Sequence, residues 1–287
     1  MFFGNFANTI IMIFHCKLKK LNSCLTLLLL AILLSSCELK FKPIEEEEQS
    51  QLVSVIRYDR LEYRYLTTGD FSALQEMNTE YPIATRTLLE SVLQIGEVTD
   101  PEINTKFLKL YQDTTLQTLL ADTQAEFTNM DDINAELNTA FANLQKFFPR
   151  IEIPRVYTQI SALDQSIVLG NQIIGISLDK YLGPNYPIYK KFNYSKSQLQ
   201  QMSREYISPD CLSFYLMSVY PPKGFETRSQ MERDLYVGKI QWVVNHALER
   251  RFYRSKYVSA VHKFMKSHPK TSYEDLLLMD NYSAFAP

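Results

Sequence analysis

RVYTQISALDQSIVLGNQIIGISL, residues 155–178, is the stretch whose reading decides the fold. Arg155–Ile160, Ser166–Leu169 and Ile173–Leu178 are short, rich in β-branched residues and patterned at period two, which predicts three strands. Gly170-Asn171-Gln172 joins the second and third as a hairpin turn, with Gly and Asn able to take left-handed torsions. Outside this stretch the apolar residues recur every three or four positions, the spacing of helices that bury one face.

Working outward on the N-terminal side, Val53–Arg60 reads as a further extended segment. Asp70 is placed to cap a helix carrying Phe71, Leu74 and Met77, and Pro82 interrupts it before Leu88, Leu89, Val92 and Leu93 resume the stripe. Residues 101–120 predict one or two helices, and residues 131–148 another with Ile133, Leu137, Phe141, Leu144 and Phe148 on one face. On the C-terminal side, helices are predicted over residues 195–206, 209–220 with Ser208 as cap, 228–248, 255–266 and 272–279. The expectation is an α+β, mostly helical single domain over residues 52–287, with one small antiparallel sheet among about eight helices.

The start of the chain carries a different signal. Leu21–Ser35 is almost wholly apolar, Lys17, Lys19 and Lys20 precede it, and Leu34-Ser35-Ser36-Cys37 closes it. A basic n-region, an apolar h-region and small residues before a Cys predict a lipoprotein leader over residues 1–36, with Cys37 as the site of lipid attachment. A membrane-spanning helix would need ~20 apolar residues, more than this run supplies. Met12 offers a second start that would give a more ordinary leader than Met1. Residues 37–51 hold Glu45-Glu46-Glu47-Glu48, which repel and stay solvated, so they read as an acidic tether.

Removing residues 1–36 takes three lysines and no acid from the 30 basic and 32 acidic side chains, leaving a net charge of −5. That balance argues against nucleic acid as a partner. Cys16 and Cys24 leave with the leader and Cys37 is acylated, so Cys211 has no cysteine to pair with, and its apolar surroundings favour a buried structural thiol.

Val55-Ile56-Arg57-Tyr58-Asp59, the run from Ile176 to Gly183, Tyr206-Ile207-Ser208-Pro209-Asp210 and Gly238-Lys239-Ile240 together resemble the gliding-motility lipoprotein GldB family. The most specific stretch is SLDKYLGPNYPIY, residues 177–189. The resemblance implies a membrane-anchored lipoprotein of the Bacteroidetes cell envelope, acting in motility with the associated secretion machinery and sited at the outer membrane. It also implies a remote similarity to zinc metallopeptidases, whose strand, loop and HExxH helix build a metal site.

No HExxH occurs, and His246, His262 and His268 show no metal-ligand spacing. There is neither a GxSxG elbow nor a Gly-rich phosphate loop. No metal and no cofactor are expected, and the favoured reading is a binding or scaffold component that is not an enzyme. The alternatives are a degenerate metallopeptidase-like fold keeping a peptide or glycan cleft, with Arg204, Glu205 and Asp210 as candidate lining, or a hydrolase with a non-standard site. The aromatic loop Asp179–Tyr189, with Asp179, Tyr181, Tyr186 and Tyr189, is the candidate contact with other envelope proteins.

Overall fold

The computed structural model describes residues 53–285, which lie within one compact unit, Ser50–Pro287. Cys37 and the acidic tether fall outside the described residues. Of the expected extended segment Val53–Arg60, residues 53–57 lie outside any helix but Tyr58–Arg60 open one. Only Ile56 pairs, through a single parallel bridge to Tyr157, and α1 starts at Tyr58 (Tyr58–Thr68). The reason is tertiary. A helical turn brings Asp59 and Glu62 to the sheet, where Asp59 accepts from the Thr158 hydroxyl and Glu62 accepts from the Ile160 amide over 2.7 Å. Gly69 ends α1 with φ 69°, a left-handed torsion that Gly adopts without a Cβ penalty.

Asp70 caps α2 (Phe71–Glu80), as its position predicts, by accepting from the Ser72 amide. Pro82 opens α3 (Pro82–Arg86), which widens into a π-helical segment, Thr87–Val92. The region after Pro101 forms two helices, α4 (Ile103–Leu110) and α5 (Thr114–Glu126), and then α6 (Asp131–Phe147).

β1 (Arg155–Gln159), β2 (Ile167–Gly170) and β3 (Ile173–Ser177) form a sheet in the order β1-β3-β2. The hairpin β2–β3 is antiparallel, but β1 pairs with β3 in parallel, so the sheet is mixed and not wholly antiparallel as expected. Residues 160–166 carry the chain past the end of β3, and the hairpin then returns β3 into the middle. Both faces are covered. Ile167, Ile174 and Ile176 enter one core with α6, whereas Tyr157, Val168 and Ile173 enter a second with α1 and α2. Burial on both faces explains the unbroken Ile-Ile-Gly-Ile run of β3.

After the sheet come α7 (Lys196–Gln201), α8 (Ile207–Val219), α9 (Gln230–Ala247), α10 (Lys256–Ser267) and α11 (Tyr273–Leu278). Ser195, Ser229, Ser255 and Ser272 cap four of them, three with capping boxes completed by Gln198, Glu232 and Asp275. Ser208 caps nothing. A 3-10 turn at Arg204–Tyr206 runs straight into α8, which places the Ser208 hydroxyl inside the first turn, buried and without a partner. Among the described residues no helix is long and apolar enough to cross a membrane.

Candidate functional site

The loop that leaves β3 folds back onto the protein. Asp179 is fully buried and accepts from the amides of Ser161 (2.9 Å) and Leu163 (2.6 Å), while burial holds its carboxyl above the usual range. Tyr189 is also fully buried, its hydroxyl donating to the Asp179 carbonyl (2.6 Å) and accepting from the Leu182 amide (3.0 Å). Tyr181 is buried, and Tyr186 is half-buried with its hydroxyl on Asp122 (2.7 Å). The expected contact surface of Asp179, Tyr181, Tyr186 and Tyr189 is therefore corrected to a core-capping loop. Each polar tip finds a partner within the chain, so the rings bury without leaving a hydroxyl unpaired.

Arg204, Glu205 and Asp210 stand close in sequence but do not converge. Arg204 is ion-paired with Asp132 (2.7 Å) and lies over the Phe127 ring. Glu205 is exposed, and its backbone carbonyl accepts from Arg250. Asp210, in the first turn of α8, accepts from the Tyr181 hydroxyl, and desolvation raises its carboxyl to about 7 despite that bond. A shared cleft lined by these three is not what the chain builds.

An open cavity of about 460 Å³ lies instead at the hairpin end of the sheet. Phe148, Tyr215 and Tyr220 give it aromatic walls, and Arg150, Glu152, Gln172 and Glu274 give it a polar margin. Arg150 pairs with Glu274 at 3.2 Å and Gln172 donates to Glu152 at 2.8 Å. These residues come from the ends of α6 and α8, the hairpin turn and α11. Sequence reasoning missed the cavity because no single segment carries its pattern.

A family model for gliding motility protein GldB matches residues 40–252, which include every motif of the resemblance. The chain belongs to the GldB family. Membership makes it a gliding-motility lipoprotein, of a class anchored by lipid in the cell envelope. No curated protein and no solved structure matches the chain.

The GldB match ends just after α9, and a groove that straddles its end brings together two residues the sequence separates. His246 on α9 and His262 on α10 line one cavity of about 460 Å³ with Trp242, Glu249, Arg250 and Arg251. His246 Nδ1 meets the Trp242 carbonyl at 2.7 Å, and the Trp242 indole N–H donates to His262 Nδ1 at 3.4 Å. Glu249, the acid of the lining, accepts from the Asn143 amide at 2.9 Å. Among the described residues no three His, Cys, Asp or Glu side chains are grouped to hold a metal ion. Cys211 is fully buried, and burial pushes its thiol far above the usual range.

Proposed function

We propose that this GldB-family chain is a non-catalytic binding component of a gliding-motility envelope assembly. Acyl chains on Cys37 hold it at the outer membrane once residues 1–36 are removed. The observation that carries this reading is the pairing of Arg204 with Asp132 and of Asp210 with Tyr181. The polar side chains at the start of the helix that would bear a peptidase motif serve packing. The partner-binding surface is the cavity at the hairpin end, where half-buried Tyr220 stands beside exposed Arg150, residue types enriched at protein interfaces.

Affinity purification from detergent-solubilised envelopes tests the binding role. Tyr220→Ala with Arg150→Glu should lose the partner recovered with the parent while keeping its melting temperature. Equal recovery would move the interface elsewhere. Cys37→Ala should abolish incorporation of labelled palmitate, and persistent labelling would remove the anchor at that residue.

A hydrolase with a non-standard site is the second reading, favoured by the meeting of His246 and His262 in one groove. Stoichiometric zinc lost on changing either histidine, together with peptide hydrolysis by the purified protein, would establish it over the first.

A further inference from the structure

Exposed apolar side chains gather where α8 hands over to α9. Val219 is 40% exposed, Phe225 36% and Met231 52%, all within thirteen residues. Pro221, Lys223 and Gly224 between them are exposed as well. The tip is built and held. Gly224 turns it with φ 59°, a 3-10 turn at Phe225–Thr227 presents the phenyl ring, and the Tyr236 hydroxyl donates to the Tyr220 carbonyl (3.1 Å) at its base. Phe225 packs edge-on against Tyr236 with centroids 6.0 Å apart, so its outer edge is left to the surroundings. Cations flank the apolar tip. Arg233 lies 6.0 Å from the Phe225 ring centroid, and Lys223 makes no ion pair among the described residues. Glu232 is held by Ser229 in the capping box, which leaves Glu226, among the described residues, as the acid of the tip without such a partner.

We infer that the Val219–Met231 connection is a second membrane contact, laying Val219, Phe225 and Met231 into the headgroup boundary of the bilayer that carries the anchor. The inference rests on the Cys37 anchor of the proposed function. The chain between Cys37 and the first described residue is short enough to decide the occupant. Even at full extension, about 3.5 Å per residue, the sixteen steps from Cys37 to Val53 reach no more than about 56 Å, which keeps the body beside its own membrane. An apolar tip beside long cationic side chains matches an interface that is oily below and anionic above. The contact orients a body already attached, since three side chains alone bind a bilayer weakly.

Quenching by lipid tests it. The mature, lipidated chain carrying Phe225→Trp is reconstituted into phosphatidylethanolamine–phosphatidylglycerol vesicles with brominated acyl chains. The parent's single tryptophan, Trp242, is buried and supplies the background. Contact should cost the added emission roughly half its intensity, and Lys223→Glu with Arg233→Glu should restore most of it. An indole at position 225 no more quenched than the parent overturns the inference, and capture of a protein through this loop with no quenching does the same. Flotation of the same vesicles separates the two readings. Protein left in the bottom fraction removes the anchor and the contact together, whereas floated protein with an unquenched indole removes the contact alone.

Discussion

The Tyr181 hydroxyl donates to the Asp210 carboxyl over 3.0 Å, tying the loop that leaves β3 to the first turn of α8. The two residues lie in two of the stretches that carry the family resemblance, and their bond explains why a loop rich in aromatic residues is turned inward. It also sets a pH dependence. Burial raises the Asp210 carboxyl to about 7, against 3.8 for a free one. Between those values the folded protein keeps a proton that the unfolded chain has released. The stability tied to this group is therefore complete below about pH 4 and is lost as pH rises through 7.

Asp210→Asn keeps an oxygen acceptor for Tyr181 but does not ionise. It should match the parent at pH 4 and exceed it at pH 8, by about 1–3 kcal/mol. Urea unfolding at the two pH values measures this, and a gap independent of pH would place the titration elsewhere.

Tyr189 carries the inner end of the same loop. Tyr189→Phe removes a hydroxyl that both donates and accepts, and should cost about 1–2 kcal/mol. Tyr189→Ala also opens a cavity in the core and should cost about 3–5 kcal/mol. Thermal melts of both variants decide the matter: an alanine variant melting with the parent would mean the ring is not a packing element.

Gly238 lies inside α9, where alanine is ordinarily better by about 1 kcal/mol. Here a Cβ would stand 2.8 Å from Tyr257 Cβ and 3.1 Å from the Tyr257 carbonyl carbon on α10. Gly238→Ala should therefore reverse the usual sign and lose about 1–3 kcal/mol as the two helices are pushed apart. A stabilised variant in chemical denaturation would show that α10 shifts freely.

Lys239, one residue on, is fully buried and donates to the carbonyls of Leu277 (3.3 Å) and Met279 (2.6 Å), with its ammonium over the Tyr282 ring. Lys239→Met keeps most of the stem but leaves those carbonyls without a donor. It should cost about 1–3 kcal/mol and raise amide exchange over residues 276–285. Burial lowers the amine to about 8, against 10.5 for a free one. The unfolded chain then holds the extra proton between those values, so this group's stability is present above about 10.5 and is lost as pH falls through 8. The parent's advantage over the methionine variant should widen from pH 8 to pH 10, and a constant difference would contradict this.

What the sequence determined by itself is the part of the fold governed by neighbours within a turn or two. Asp70 is legible as a cap because the bonded amide lies two residues on, and Ser195, Ser255 and Ser272 stand where the period places helix starts, whereas the cap expected at Ser208 fails because a 3-10 turn precedes it. The β2–β3 hairpin and the buried stripe of α6 follow from a turn and a period for the same reason. Family membership was legible too, since its motifs are contiguous. Tertiary structure decided what depends on distant partners. Tyr58 begins a helix because Glu62 reaches Ile160 across 98 positions, and Arg204 leaves the candidate cleft for Asp132 across 72. The parallel β1–β3 pairing, the burial of Tyr181 and Tyr189 and the meeting of His246 with His262 are of the same kind. A local pattern states which face of a segment is apolar, but only the closed chain states what that face meets, and the meeting sets the role of each polar tip.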